Sequence, residues 1–291
     1  MRIDSMEAIC AGAREAGMQF WEAVLSYDME ERQCTREESM AKMLTVWTAM
    51  VDASDSYTGQ RRSVSGLVGG DGLKMRMYNR RGESLCGDYV GRVIAEALSM
   101  AESNACMRRI VAAPTAGACG VLPAVLIPLW NEQKLTQRQV IEALYTASGI
   151  GAVIAAKAGI SGASGGCQAE IGSAAAMAAG ALVHIRGGDM DMICSAVAMA
   201  LKNLMGLICD PVAGLVEVPC VKRNVAGAMT AVSAADMALA GIESRVPVDQ
   251  VIQAMGEVGR HMPLEFRETA LGGLAATPFG KEVKQRQKER E

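Results

Sequence analysis

Residues 168–184 read Gln-Ala-Glu-Ile-Gly-Ser-Ala-Ala-Ala-Met-Ala-Ala-Gly-Ala-Leu-Val-His. Nine of these seventeen residues are Ala or Gly, so a helix here lets its neighbours approach closely, and residues 191–207 supply the expected partner. Both segments belong in the interior. Half of the 291 residues are hydrophobic while only 4% are aromatic, which leaves Ala, Met, Leu, Val and Gly to build the rest of the core. That palette suits helices packed at short range. With no credible run of strands and no internal repeat, the expected class is all-α: a compact multi-helix domain over residues 1–280, then a tail, 281–291, of almost wholly charged and amide side chains that is expected to be disordered.

Along the chain, Met6, Ile9, Met18, Phe20, Trp21, Val24 and Leu25 recur at helical spacing and predict one amphipathic helix over residues 5–27. Thr35-Arg36-Glu37-Glu38 has the form of a capping box and opens a second helix, to about residue 51, that pairs with the first as a hairpin. Further helices are expected over 89–103, 136–147, 149–158, 224–241 and 248–261, the last opening at Pro247. Residues 159–166, with four glycines and two serines, break the helical pattern.

Several function classes are set aside by composition. The net charge is −3 and no basic stripe is interleaved with aromatics, which argues against nucleic acid as a partner. Residues 1–18 carry Arg2, Asp4, Glu7, Arg14 and Glu15, unlike a signal or transit peptide, so a cytoplasmic location is expected. Residues 110–130 run about a membrane's width without a charge. Pro114, Pro123, Pro128, Gly117 and Gly120 lie within them, so a buried loop and helix is expected rather than a membrane span.

Two loops invite a functional reading beside a plain one. Residues 65–72, Ser-Gly-Leu-Val-Gly-Gly-Asp-Gly, lead to Lys74. A surface loop is the simpler reading, and a backbone nest holding a carboxylate the alternative. Thr115, set between Pro114 and small residues just before an apolar helix, is expected to cap that helix; presenting its hydroxyl to a ligand is the alternative.

Nine cysteines, an odd number without a secretory signal, point to free thiols or metal ligands rather than a disulfide framework. Cys10, Cys34, Cys86, Cys106 and Cys194 read as structural, and Cys119, in a glycine-bounded turn, as a neighbour of a site at most. Cys167, Cys209 and Cys220 differ: each adjoins Gly or lies beside an Asp-Pro or Pro turn, where the backbone can aim a thiolate. Their spacing fits neither a zinc ribbon nor a C-x-x-C pair, so buried thiols and metal ligands both stand on spacing alone. Three thiolates without a fourth is also the arrangement that leaves one iron of a four-iron cluster open.

The chain resembles the alpha subunit of bacterial iron-sulfur-dependent L-serine dehydratases, nearly end to end. The resemblance rests on residues 65–74, on residues 104–123 with their Ala113-Pro114-Thr115-Ala116-Gly117 core, on residues 160–170 with Ser164-Gly165-Gly166-Cys167-Gln168-Ala169-Glu170, and on residues 209–220 from Cys209-Asp210-Pro211 to Pro219-Cys220. Arg223-Asn224, Arg267-Glu268-Thr269 and Gly272-Gly273-Leu274-Ala275 complete it. It implies an all-helical protein whose Cys167, Cys209 and Cys220 bind a 4Fe-4S cluster. Two positions depart from the pattern: Ser164 stands where a glutamate is expected, and Phe279 where a threonine or similar residue is.

The resemblance further implies an ammonia-lyase that converts L-serine to pyruvate and ammonia, the open iron acting as Lewis acid on the hydroxyl. Lys74 and Thr115 are the candidate catalytic residues, and Ser65, Thr115 and Asn224 the candidates for holding substrate. The family's beta part carries a serine- and histidine-rich motif that is not found in this sequence. A beta subunit, in a hetero-oligomer, is therefore the expected partner and the expected source of the base. A related cysteine desulfidase, a non-catalytic iron-sulfur redox sensor and a helical interaction subunit with buried thiols are the alternatives.

Overall fold

In the computed structural model residues 3–289 are described. Thirteen α-helices and no strand occur among them: α1 (Met6–Glu15), α2 (Phe20–Arg32), α3 (Arg36–Asp55), α4 (Asp71–Arg80), α5 (Gly87–Ala105), α6 (Val121–Asn131), α7 (Gln137–Lys157), α8 (Gly162–Gly165), α9 (Ser173–Ile185), α10 (Met190–Leu204), α11 (Cys220–Leu239), α12 (Val248–His261) and α13 (Pro278–Lys288). The all-α expectation holds.

Local chemistry sets most of these limits. Thr35 accepts from the Glu38 N–H while Glu38 accepts from the Thr35 N–H, so the predicted capping box is formed, and Thr136 with Gln139 makes a second one that opens α7. Pro247 precedes α12 as expected. The single helix expected over residues 5–27 is instead two. Gly17 adopts a left-handed φ of +64° that ends α1, and the Glu22 carboxylate accepts the Gln19 N–H at 3.0 Å to start α2. Conversely, the segments expected at 136–147 and 149–158 are one helix, α7. Its internal glycines serve packing: a Cβ on Gly149 would clash with Val24 Cγ2, and one on Gly151 would lie 2.9 Å from Met177 Sδ.

At the centre is α9, which packs against α6, α7, α10 and α11. Ala174, Ala175, Ala176, Ala178, Ala179, Ala181 and Val183 on it are completely buried, as are Ile193, Ala196, Val197, Ala198 and Leu201 or nearly so on its partner α10. The charge-free stretch near residue 120 is interior too, with Val121 to Pro128 all buried in α6. Among the described residues one helix, α7, is long and apolar enough to cross a membrane, and two-thirds of its most apolar window lies inside the protein.

The C-terminal segment corrects an expectation. Residues 278–288 are helical rather than disordered, because Thr277 caps α13, Pro278 occupies its first turn and Val283 is buried on one face. Residues 290–291 lie outside the described residues.

Candidate metal centre

Three irregular segments converge below α9. After α8, Gly166 takes a φ of +73° and the chain enters a π-helical turn, Gln168–Gly172, that carries Cys167 at its head. Gln168, itself buried, locks this turn: its N–H donates to Leu207 O (2.9 Å), its Nε2 to Met255 O (3.1 Å), and its Oε1 accepts from the Gly206 N–H (2.8 Å). Cys209 follows α10 and forms a bridge with the Arg267 segment, donating its N–H to Phe266 O at 2.8 Å while its O accepts from the Glu268 N–H at 2.9 Å. Cys220 is the first residue of α11.

All three thiols are buried. The tightest group of donor atoms is Cys167 Sγ, Cys209 Sγ and a Glu170 carboxylate oxygen, within 4.8 Å of one another. Cys220 stands outside that group yet close enough to feel the charge of Cys167 and to act on Cys209. The hydrogen bond with Cys209 lowers the pKa of Cys167, assisted by the Arg223 guanidinium, and raises that of Cys209. Burial pushes Cys220 up to about 12. Cys167 is thus the thiol whose ionisation is most favoured, and burial opposes ionisation of Cys209 and Cys220.

Arg223 brings a positive charge to this cluster. Its NH1 donates to Ile208 O (2.9 Å) and its NH2 to Asp210 Oδ1 (2.8 Å), while Asp210 Oδ2 accepts from the Leu274 N–H at 2.8 Å. Asp210 is buried, so this pair ties the Cys209 turn to α11 and to the residues near 274.

Glu170 faces the cysteines from the π-turn, three residues after Cys167. Burial raises its pKa, the Thr115 hydroxyl opposes the shift, and nearby Glu268 adds to it. Thr115 Oγ1 is buried and makes no hydrogen bond of normal geometry. Its side chain does not cap α6, which begins after Gly120 without a side-chain cap, so the capping expectation is replaced by a hydroxyl turned toward Glu170. The carboxylate lies between two glycines: a Cβ on Gly117 would stand 3.2 Å from Glu170 Oε1, and one on Gly162 2.8 Å from Oε2 and 3.0 Å from Glu268 Oε2. Those two glycines leave open the space that a ligand beside the thiols would need, and exposed Glu268 marks its outer edge.

The remaining candidates are placed differently. Asn224 is a buried clamp whose Nδ2 donates to Gly117 O (2.8 Å) and Cys220 O (3.0 Å) and whose Oδ1 accepts from the Gly120 N–H (2.9 Å). Protein backbone thus takes its amide, which holds the Thr115 turn against α11. Ser65 Oγ donates to Glu217, as does Ser63 Oγ at 2.5 Å, so the glycine loop is pinned to the loop before Cys220. Lys74 is exposed and pairs with Asp71 at 2.8 Å. The nest alternative for the loop is realised with an internal anion: the N–H groups of Gly70, Asp71 and Gly72 donate to the buried Glu102 carboxylate at 2.8–3.4 Å, and Tyr57 adds its hydroxyl. Cys119 donates to Met100 O at 3.7 Å, and burial raises its pKa to about 12. Of the two departures, Ser164 donates to Ser161 O (3.1 Å) and Phe279 is half exposed.

Glu170, Arg223, Asp210 and Glu217 were quoted in the sequence motifs without a role. The available signal for Glu170 was its position three residues after Cys167, which a helical turn brings to the same side as the thiol.

The fold and site together define an all-helical protein with buried thiols and a carboxylate gathered at inter-helix turns. The model of the serine dehydratase alpha chain family matches residues 15–275, and the chain belongs to that family. It is 47% identical over 269 residues to the probable L-serine dehydratase alpha chain of Bacillus subtilis, covering 91% of this chain and 88% of the relative. It is 40% identical to the L-serine dehydratase alpha chain of Peptoniphilus asaccharolyticus, with 93% of each covered. With the L-serine dehydratase of Streptomyces coelicolor it shares 38% identity over 90% of this chain and 58% of that one.

Proposed function

We propose that this chain is the cluster-bearing subunit of an L-serine ammonia-lyase, releasing pyruvate and ammonia. The observation that supports it most is the coincidence of near full-length similarity to proteins named as L-serine dehydratase alpha chains with buried Cys167 and Cys209 in one donor group and buried Cys220 near them. The donor set suits a 4Fe-4S cluster: three thiols, a compensating guanidinium and a glycine-lined space. When bound, the cluster supplies a Lewis-acidic iron that weakens the substrate's carbon–oxygen bond.

The chain's own residues have distinct tasks in this reading. The Glu170 and Glu268 carboxylates receive the substrate ammonium, and the Thr115 hydroxyl, turned toward Glu170, orients that carboxylate. Asn224 and Arg223 hold the surrounding turns still, and Gln168 seals the side facing α12. Lys74, paired with Asp71 at the surface, has no task here. Loss of the α-proton and of hydroxide gives aminoacrylate and water, and hydrolysis of the tautomeric imine then yields pyruvate and ammonia. That relatives of this length are named alpha chains, and that the Streptomyces relative is longer, supports a beta subunit as source of the base.

The test is anaerobic reconstitution with iron and sulfide, with and without the beta subunit, followed by assays on L-serine, L-threonine and L-cysteine. Iron and sulfide bind to the wild type and to Cys34→Ala, and are lost from Cys167→Ala, Cys209→Ala and Cys220→Ala. L-serine turnover requires the beta subunit. Preferred turnover of L-cysteine identifies a desulfidase instead, and a loaded complex that turns over none of the three identifies a sensor. A chain that takes up no iron is an interaction subunit.

A further inference from the structure

Outside the cysteine site, two thiols expected to be merely structural face each other. Cys10 Sγ on α1 and Cys194 Sγ on α10 lie 3.7 Å apart, although 184 positions separate them in the chain. Both are free thiols. A disulfide needs about 2 Å between its sulfurs, which rotation of the two side chains with a small shift of α1 supplies. Polar links on either side keep the pair in register. Arg14, one turn after Cys10, pairs at 2.6 Å with Asp191, which lies just before Cys194 on α10. At the other end of α1 the Met6 and Glu7 N–H groups donate to the Asp249 carboxylate of α12 at 3.1 and 3.0 Å, and Lys157 approaches Asp249 at 3.3 Å.

The pair can be reached from solvent through one of its members. Cys10 is buried, whereas Cys194 is partly exposed and lines a cleft of about 510 Å³ formed by the start of α10, the end of α11 and the turn into α12. None of the residues that line this cleft belongs to the cysteine site. The hydrogen bond with Cys194 lowers the pKa of Cys10 and Arg14 adds to the effect, while burial, Asp191 and Asp249 oppose it. Thiolate character in a pair with an open side is what makes cysteines responsive to oxidants.

We propose that Cys10 and Cys194 form an oxidative modification site, at which hydrogen peroxide converts the two thiols to a disulfide that locks α1 onto α10. The shared proton moves to Cys10 as the cleft-facing Cys194 sulfur attacks one peroxide oxygen: an S–O bond forms, the O–O bond breaks and hydroxide leaves. The Cys10 sulfur then attacks Cys194, so that the S–S bond forms, the S–O bond breaks and a second hydroxide leaves. The two hydroxides take up the two thiol protons as water. Two electrons pass from the thiols to one peroxide, and a thiol reductant reverses the change. Because the link spans 184 positions, it removes much freedom from the unfolded chain and stabilises the folded one.

Peptide mapping of the full-length chain tests this, whatever the chain turns over. The reduced protein is treated with hydrogen peroxide, its remaining thiols are alkylated, and it is digested with trypsin without reductant. Residues 3–14 and 187–202, which carry Cys10 and Cys194, are recovered as one linked peptide pair that dithiothreitol separates. Oxidation raises the melting temperature of the wild type and leaves that of Cys194→Ser where it was. The proposal is overturned if Cys10 and Cys194 are both recovered alkylated after exposed Cys86 has been oxidised, or if Cys10 is joined to other cysteines as often as to Cys194. A linked chain that melts no higher than the reduced one overturns the lock. If Cys194→Ser fails to fold, the wild-type map and its melting shift, reversed by dithiothreitol, decide the matter alone.

Discussion

Arg223 carries more of the cysteine site than any other single residue outside the three cysteines. It lowers the pKa of Cys167, holds Ile208 O and neutralises buried Asp210, whose second oxygen in turn fixes Leu274. Removing one partner of a buried pair leaves the other charge uncompensated. Arg223→Ala is therefore expected to lower stability by about 3–5 kcal/mol, read as a reduced urea midpoint, and Arg223→Lys by less. An unchanged midpoint in Arg223→Ala would show that Asp210 finds another partner. At this scale the sequence was partly legible. The cysteine turns announce themselves through adjoining Gly and Pro, whereas Glu170 and Asp210 look like any acidic residue until the chain folds. Ser65 illustrates the limit: its partner Glu217 is 152 positions away, and no local pattern encodes that bond.

Small residues decide how the elements pack, and they do so unequally. Gly149 faces β-branched Val24 on α2, which has little rotamer freedom, and Gly151 faces Met177 on α9, which is flexible. Alanine at either site gains about 1 kcal/mol of helix propensity, while overpacking costs roughly 1–3 kcal/mol where the neighbour cannot give way. Gly149→Ala is accordingly expected to lower the melting temperature and Gly151→Ala to leave it unchanged or raise it; the reverse order in thermal melts would contradict the packing argument. Element boundaries were readable where side chains cap, as at Thr35–Glu38, and where composition is uniform, as in α9. They were misread at residues 16–19, where an unbroken apolar rhythm hides a left-handed glycine, and at the charged C-terminal segment, where one buried valine and a threonine cap outweigh surface charge.

For the molecule as a whole, pH acts through a group on the central helix. Burial holds the pKa of His184 below its ordinary value, with Glu142 at 3.5 Å opposing the shift. The unfolded chain therefore takes up the proton first as pH falls, and the stability this histidine contributes is present above about pH 6.5 and is lost below it. His184→Gln should flatten the fall in urea midpoint between about pH 7.5 and pH 5.5, and an unchanged slope would assign that fall to other groups. Long-range order shows in the glycine loop, which hangs from two carboxylates. Glu217 holds its first half through Ser63 and Ser65, and Glu102 holds its second half through the N–H groups of residues 70–72. The two halves should then exchange their amide hydrogens for deuterium on separate clocks. Glu217→Gln is expected to hasten exchange at Ser63 and Val68 while Gly70 to Gly72 stay protected, and Glu102→Gln to do the opposite. Simultaneous loss of protection across residues 63–72 in either variant would mean that the loop opens as one piece, and that whatever loosens the turn before Cys220 also frees the start of α4.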